Sequence, residues 1–157
     1  MSRQFEKEII DIPAKDLVPI MLDQINSGAK VRFFPRGTSM LPLIRQGRDS
    51  VTLEEIKKPL GRFDIVLYKR DDGNYVLHRI ALVKDTITCI GDNQFYYEKN
   101  LRHDQMLARV SAFSRGDKQY SVNYVPYRIY CVLWYITRPV RHLLAKVRAI
   151  IKKSRIV

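Results

Sequence analysis

The first recurring pattern of apolar residues along the chain is helical. Within residues 16–27, apolar side chains recur three and four positions apart, which places them on one face of a helix. The residues on that face are Leu17, Val18, Met21, Leu22 and Ile25. Asp16 is expected to cap the start, Gly28 is well placed to end the helix, and Pro19 falls in the predicted first turn. We predict a packing helix without a catalytic role.

From residue 30 to residue 114 the pattern changes to short apolar or alternating runs, which are typical of β-strands. The runs are VRFFP, SVTL, DIVLYKR, YVLHRIALV, TITCIG and MLARVSAF. Between two of them, the DDGN segment at residues 71–74 is a strong hairpin signal. Regularly spaced short strands indicate an antiparallel sheet or a partly closed barrel, not alternating βαβ units. The predicted fold class is therefore mainly β.

The end of the chain is first apolar and aromatic, in YRIYCVLWYIT at residues 127–137, and then helical after Pro139. The apolar face of that helix holds Val140, Leu143, Leu144, Val147, Ile150 and Ile151. The basic face holds Arg141, Lys146, Arg148, Lys152 and Lys153. We therefore divide the chain into an N-terminal extension with a helix (1–29), a β domain that carries the chemistry (30–115), and a basic, aromatic tail with an amphipathic helix (116–157).

Charge is distributed unevenly along the 157 residues. The net charge is +12, and no acidic residue follows Asp117. A basic block of this kind is typical of contact with an anionic phospholipid surface or nucleic acid. Because aromatic residues precede a cationic amphipathic helix, residues 127–157 favour an interfacial anchor on an anionic membrane. The alternative is a helix packed on the β domain with a solvated charged face, and nucleic acid is the least favoured partner.

Targeting and redox features add little to this picture. Residues 1–11 carry three acidic residues and no long apolar core, so we expect neither a signal peptide nor an anchor there. No run approaches the roughly 20 apolar residues that span a bilayer. We expect a peripheral membrane protein that is otherwise cytoplasmic. Cys89 and Cys131 lack partners at metal-ligand spacing, so we predict two buried free thiols, with a disulfide as the alternative.

The first candidate for chemistry is Ser39, in the segment GTSMLP at residues 37–42. It follows an extended segment, and Gly37 lets the backbone approach a substrate closely. The amide of Ser39 is a candidate oxyanion donor. The other residues expected to bind substrate or the oxyanion are Gly37, Thr38, Met40 and Pro42. Alone the pattern is weak, because a serine beside glycine is usually a turn residue.

Two further segments supply partners for such a serine. His78 lies in the apolar strand YVLHRI, where a histidine is more often a satisfied core residue, yet its ordinary pKa near 6.5 suits a base for a serine hydroxyl. Asp92 follows the strand TITCI in a Gly-Asp-Asn turn. Such a turn is commonly structural, but its carboxylate is a candidate to orient the histidine, as in a Ser-His-Asp arrangement.

Together and in this order, the segments resemble the signal peptidase I superfamily, which shares its fold with the self-cleaving SOS repressors. The matching segments are GTSMLP around Ser39, GRDSV at 47–51, GRFDIVL at 61–67, VLHRI at 76–80 and GDN at 91–93, followed by a strand at 107–110. Each segment is common, but five in the correct order are specific. The resemblance covers residues 31 to 113. It implies a coiled antiparallel sheet, Ser39 as nucleophile, substrate bound as an added strand, and small residues before the scissile bond.

The chain departs from the family pattern at several positions. Typical bacterial members and the repressors have a lysine base where this chain has His78, and histidine there is the endoplasmic-reticulum and archaeal variant. The usual Gly-Asp before the second strand is interrupted here by Arg48, and the amino-terminal membrane helix is missing. A second acid often follows Gly-Asp-Asn in the histidine branch. Glu98 and Asp104 are the candidates, and Asp92 would then be structural, paired with Arg79 or another cation.

These observations lead to one expected function and two alternatives. We expect a serine endopeptidase that cleaves leader or signal-like peptides through an acyl-enzyme, without a metal or other cofactor. A self-cleaving, repressor-like regulator is disfavoured because no helix-turn-helix precedes the β domain. A catalytically inactive, membrane-associated scaffold is disfavoured because both Ser39 and His78 are present.

Overall fold

A computed structural model describes residues 13–154, without the side chains of residues 149 and 152–154. In chain order, its helices and strands are α1 (Ala14–Asn26), β1 (Val31–Phe33), β2 (Val51–Glu54), β3 (Ile65–Lys69), β4 (Tyr75–Val83), β5 (Ile87–Ile90), β6 (Glu98–Leu101), β7 (Met106–Arg115), β8 (Lys118–Ser121), α2 (Val125–Ile136) and α3 (Arg138–Ser154). A single 3₁₀ turn, His103–Gln105, precedes β7.

The eight strands form one sheet in the order β1-β2-β7-β3-β4-β5-β6, with β8 also paired to β7. All of these pairings are antiparallel. The predicted mainly β fold with a helix near each end is confirmed. The expected partial closure into a barrel is not found, because no pairing joins β1 to β6 within residues 13–154.

The predicted turn between β3 and β4 is a tight hairpin. Lys69 pairs with Tyr75, and the amide of Arg70 donates to the carbonyl of Asn74 at 2.9 Å. Gly73 has a φ of 86°, a left-handed conformation that favours glycine. The side chain of Asp72 accepts the Asn74 amide, which is how aspartate stabilises such turns. This hairpin fixes the register of β4, the strand that carries His78.

Helix α1 packs as predicted but begins earlier. Val18, Met21 and Ile25 are buried against the sheet, and Gly28, with a φ of 91°, follows the helix end. The expected cap at Asp16 is wrong, because the helix starts at Ala14 and Asp16 lies inside its first turn. Pro19 consequently falls in the second turn on the exposed side, where it leaves one helical carbonyl without its amide donor.

Two hydrophobic cores lie on opposite faces of the sheet, as the alternation along β3 makes clear. Ile65 and Leu67 belong to the core that also contains α1, whereas Val66 and Tyr68 belong to the other. The first core also includes Tyr127 and Cys131 of α2. The C-terminal segment therefore begins as part of the main core.

The remaining C-terminal residues extend from this core as α3. The predicted basic amphipathic helix is confirmed, with Pro139 in its first turn. Within residues 13–154, none of the helices has the length and apolarity needed to cross a bilayer. Both cysteines, Cys89 and Cys131, are buried and free, as predicted.

Candidate active site

Ser39 lies in the loop between β1 and β2, which is held in place from both ends. Met40, Leu43 and Ile44 are buried in the first core. Farther along the loop, the buried carboxylate of Asp49 accepts the amides of Arg45 and Gly116 at 2.8 and 3.0 Å. These anchors leave the Ser39 side chain half-buried at the surface of the sheet.

The turn at residues 91–94 packs against the backbone of Ser39. The amide of Asn93 donates to the carbonyl of Ser39 at 2.8 Å, and the Asn93 side chain donates to the carbonyl of Thr38 at 3.2 Å. A Cβ atom on Gly91 would lie 2.7 Å from the Ser39 carbonyl oxygen, closer than real Cβ contacts. Glycine is therefore required at position 91 for the close approach of the two segments.

His78 is buried on β4, opposite Val66 of β3 and 2% exposed. Its Nδ1 atom lies 3.1 Å from the hydroxyl oxygen of Tyr68 and 3.1 Å from Oε1 of Glu98. Glu98 is the first residue of β6. Of the three acids considered from the sequence, Glu98 is the one whose carboxylate contacts the histidine.

The neighbours of Nδ1 bear on which ring nitrogen carries the proton. An ionised carboxylate only accepts hydrogen bonds, so the contact with Glu98 favours a proton on Nδ1, whereas the Tyr68 hydroxyl is able to donate to or accept from this nitrogen. With the proton on Nδ1, the neutral ring of His78 has a lone pair on Nε2. No hydrogen bond to Nε2 occurs among the described residues. This is the tautomer that a general base needs.

Ser39 and His78 line the same pocket of about 250 Å³, together with Gly37, Arg70 and Gln94. Among residues 13–154, no hydrogen bond joins the Ser39 hydroxyl to the His78 ring. Catalytic hydrogen bonds are often long in unliganded enzymes and shorten when substrate binds. Both predicted residues thus line one cleft without a hydrogen bond between their side chains. His78 lies on the sheet face of Val66 and the second core, whereas the Ser39 loop is anchored by Met40 in the first core, so the cleft joins them around the edge of β4.

Arg70 forms an ion pair with Glu98 beside His78. Its guanidinium grips Glu98 with two hydrogen bonds, from Nε to Oε2 at 2.8 Å and from Nη2 to Oε1 at 2.5 Å. Burial alone would raise the pKa of Glu98, but the hydrogen bonds from Arg70 and Tyr68 and the nearby positive charges outweigh it and lower the pKa. Glu98 is consequently ionised at neutral pH.

The pKa of His78 is lowered, first by burial and also by the charge of Arg70, although the carboxylate of Glu98 partly opposes the shift. A histidine with a lowered pKa is neutral at pH 7 and able to accept a proton. The sequence suggested the histidine but neither Tyr68 nor Arg70. Tyr68 lies within the apolar strand β3 and Arg70 directly follows it, so neither stands out from an ordinary strand sequence.

Asp92 and Asp104 have other partners. The carboxylate of Asp92 pairs with Arg79 through two hydrogen bonds of 2.8 Å, and both side chains are buried. This is the structural role that the sequence left open for Asp92. Asp104 is exposed and pairs with Arg102 at 3.2 Å.

The predicted oxyanion and substrate residues are distributed unevenly. The Gly37 amide donates to Oε1 of Gln46 at 2.8 Å, whereas no acceptor for the Ser39 amide occurs in the described part of the chain. Met40 lines the pocket, but Thr38 and Pro42 do not. Of these two amides, only that of Ser39 is thus left without an acceptor among residues 13–154.

One edge of β4 is open beside this pocket. On one side, residues 75–78 of β4 pair with β3. On the other side, β5 pairs with β4 only from Arg79 onward, so this edge of residues 75–78 has no strand partner within residues 13–154. Tyr75, Val76 and Leu77 line the pocket together with His78. An exposed edge is a template for main-chain pairing with an extended peptide.

Comparison with known proteins leaves the family of this chain open. No protein-family model, no curated protein and no solved structure matches it. Among the described residues, no group of three or more His, Cys, Asp or Glu side chains could hold a metal ion.

Proposed function

We propose that this protein is a serine endopeptidase in which Ser39 is the nucleophile, His78 the general base and Glu98 the acid that orients the base. One observation carries the proposal. Ser39 and His78 line the same cleft, and Nδ1 of His78 lies against the Glu98 carboxylate, which favours the tautomer with a free lone pair on Nε2. This is the arrangement of roles in a serine-histidine-acid triad, which is recognised by geometry and not by chain order.

The reaction follows from these roles. Nε2 of His78 takes the hydroxyl proton as the Ser39 oxygen bonds to the peptide carbonyl carbon, and the Ser39 amide donates to the oxyanion. The resulting imidazolium is stabilised by the Glu98 carboxylate. It then gives its proton to the departing amine as the carbon–nitrogen bond breaks. Water, deprotonated by the same nitrogen, releases the acyl group and restores Ser39.

The substrate that suits this site is an extended segment of a precursor, such as a leader or signal-like peptide. The open edge at residues 75–78 would pair with its backbone, which brings a peptide carbonyl alongside the pocket. Met40, Ile44 and Leu77 give the pocket an apolar wall. With a volume of about 250 Å³, the pocket suits small apolar side chains near the scissile bond.

Labelling with a fluorophosphonate probe tests the activated serine without knowledge of the substrate. We expect the wild-type protein to be labelled once, with the probe mapped by mass spectrometry to Ser39, because only a hydroxyl beside a base reacts readily. Labelling should be lost in Ser39→Ala and in His78→Ala, which retains the serine. His103→Ala is the matched control, since His103 is an exposed histidine that contacts the Lys84 carbonyl. A wild-type protein that stays unlabelled would refute the proposal.

We also propose that the protein works at an anionic membrane surface as a peripheral protein. On α3, Leu143, Leu144 and Ile150 are 63, 50 and 69% exposed. On the preceding helix α2, Leu133 and Ile136 are likewise 57 and 64% exposed. Large exposed apolar surfaces mark interaction sites. The absence of acidic residues after position 117 makes an anionic bilayer the complementary partner.

Vesicle flotation tests this surface. We expect the wild-type protein to float with vesicles of anionic phosphatidylglycerol and much less with neutral phosphatidylcholine, because each Lys or Arg near an anionic surface contributes roughly 1 kcal/mol. The double variant Leu143→Ser, Ile150→Ser should lose most of the binding. Ile20→Ser is the matched control, since Ile20 is an equally exposed apolar residue on α1. Equal flotation of the double variant and the wild type would contradict the proposal.

A further inference from the structure

The junction of α2 and α3 holds the turn at residues 91–94 by its carbonyl groups. Nη2 of Arg138 donates to the carbonyls of Gly91 and Gln94, each at 2.8 Å. Nε1 of Trp134 donates to the carbonyl of Asp92 at 2.9 Å. Arg138 is only 8% exposed, so this is an internal contact and not a surface one. Nη1 of Arg141 also donates to the Asp92 carbonyl, at 3.4 Å. Three of the four carbonyls in the turn are thus bound by side chains of the C-terminal helices.

The other side of the same turn binds the Ser39 loop. The Asn93 amide and side chain donate to the carbonyls of Ser39 and Thr38, and Gly91 lies against the Ser39 carbonyl. The turn therefore sits between two partners. Donors from the C-terminal helices hold its carbonyls, and its own donors hold the backbone of the nucleophile.

A second connection runs from α2 to the neighbourhood of the base. Arg79 follows His78 on β4, and its Nη1 donates to the hydroxyl of Tyr127 at 2.9 Å and contacts Sγ of Cys131 at 3.0 Å. The remaining nitrogens of Arg79 hold Asp92 in the turn. The backbone on either side of the cleft is thus attached to the same pair of helices.

We propose that Trp134 and Arg138 are positioning residues for Ser39, which act through the turn at residues 91–94. The inference rests on the proposed peptidase function. Neither side chain lines the pocket, so neither touches substrate. Their donors fix the turn and the turn fixes the Ser39 carbonyl, so losing the donors shifts the hydroxyl relative to Nε2 of His78. A displacement of about 1 Å at a reacting group lowers the rate by about 10²-fold.

The proposal also gives the C-terminal helices a part in the chemistry. The exposed apolar residues that would meet a bilayer and the donors that hold the turn lie on the same two helices, α2 and α3. Trp134 stacks on Tyr130, with ring centroids 5.7 Å apart, and Arg141 lies 3.4 Å above its ring. The Trp134 ring is thus packed from two sides, which keeps its N–H aimed at the turn.

The test compares fluorophosphonate labelling kinetics of the full-length wild type with those of Trp134→Phe, Arg138→Met and the double variant. Phenylalanine keeps an aromatic ring but removes the N–H, and methionine keeps much of the arginine stem. We expect kinact of the double variant to fall by about tenfold to 10²-fold, with KI changed less than about twofold. Arg138→Lys should recover part of the loss, because lysine restores a charged donor. Arg128→Met, an exposed position on α2, is the matched control.

Hydrogen exchange separates this proposal from the proposed function. The Asn93 amide should exchange about tenfold or more faster in the double variant, while amides of β3 and β4 keep their wild-type rates. Unchanged kinact and unchanged Asn93 exchange in a folded variant would overturn the positioning role. If the wild type is never labelled, the peptidase proposal fails, and Asn93 exchange alone still decides whether the helices hold the turn. Should the double variant unfold, the Trp134→Phe variant carries the same comparison.

Discussion

Replacing Glu98 with glutamine should lower the rate of fluorophosphonate labelling at Ser39 by about 10²- to 10⁴-fold, the range expected when a general base is lost or held in the wrong tautomer. The Glu98 carboxylate, 3.1 Å from Nδ1, favours the proton on that nitrogen. The amide of glutamine is able to donate instead, which favours the tautomer with the proton on Nε2. That nitrogen is then unable to accept the proton of Ser39.

The pH dependence of the Glu98→Gln variant has a defined sign. Activity requires neutral His78, so it rises as pH increases through the pKa of that residue. Burial lowers the pKa of His78, and the Glu98 charge partly opposes this shift. Removing the charge should therefore lower the pKa of His78 further. The acidic limb of the labelling profile should move to lower pH, while the plateau rate falls.

Two matched variants make this measurement selective for Glu98. Asp104→Asn removes an exposed acid that pairs with Arg102 on the surface, and it should label at the wild-type rate. Asp92→Asn should label more slowly than wild type only to the extent that the turn is disturbed. A Glu98→Gln variant that is folded and labels as fast as Asp104→Asn would contradict the role of Glu98 as the orienting acid.

The second large effect concerns stability: Asp92→Asn should lower the free energy of unfolding by about 3–5 kcal/mol, the usual loss when one partner of a buried ion pair is removed. Arg79 and Asp92 are 4 and 2% exposed. Burial opposes the charge on Arg79, but the charge and hydrogen bonds of Asp92 outweigh it and keep the pKa of Arg79 well above its ordinary value. Without the carboxylate, a permanently charged guanidinium remains in the core.

Urea denaturation followed by circular dichroism measures this change. The double variant Arg79→Met, Asp92→Asn should lose less stability than the sum of the two single variants, because it leaves no unpaired charge. Glu55→Gln is the control, since Glu55 and Lys57 form an exposed ion pair and should contribute less than about 1 kcal/mol. The prediction is contradicted if Asp92→Asn lowers the free energy of unfolding no more than Glu55→Gln does. The Arg79–Asp92 pair would then contribute no more than an exposed ion pair.

Most of the sheet could be predicted because its strands are apolar. The strands β3, β4, β5 and β7 coincide with apolar runs, and the turn before β4 has strong hairpin chemistry. By contrast, β6 (EKNL) and β8 (KQYS) are too polar to be recognised. They are strands because each pairs with an established neighbour, β6 with β5 and β8 with β7. Tertiary pairing there overrides weak local preference.

Local sequence could not identify which acid lies beside His78. Asp92, Glu98 and Asp104 all lie between the end of β5 at Ile90 and the start of β7 at Met106. Glu98 reaches His78 because β6 pairs with β5, where Glu98 lies opposite Cys89, and because Arg70 grips it from the end of β3. Asp92 is unavailable because buried Arg79 needs a counter-charge. Both outcomes depend on which side chains meet across strands.

The amino-acid sequence by itself determined the mainly β class, the helices near both ends, the hairpin before β4 and the choice of Ser39 and His78 as candidates, because periodicity, turn chemistry and side-chain pKa are local properties. The tertiary structure alone decided that these two residues share a cleft and that Glu98 faces the histidine. It also decided that α2 and α3 grip the turn behind Ser39. Burial and hydrogen-bond partners arise only when distant segments pack together, so no local pattern records them.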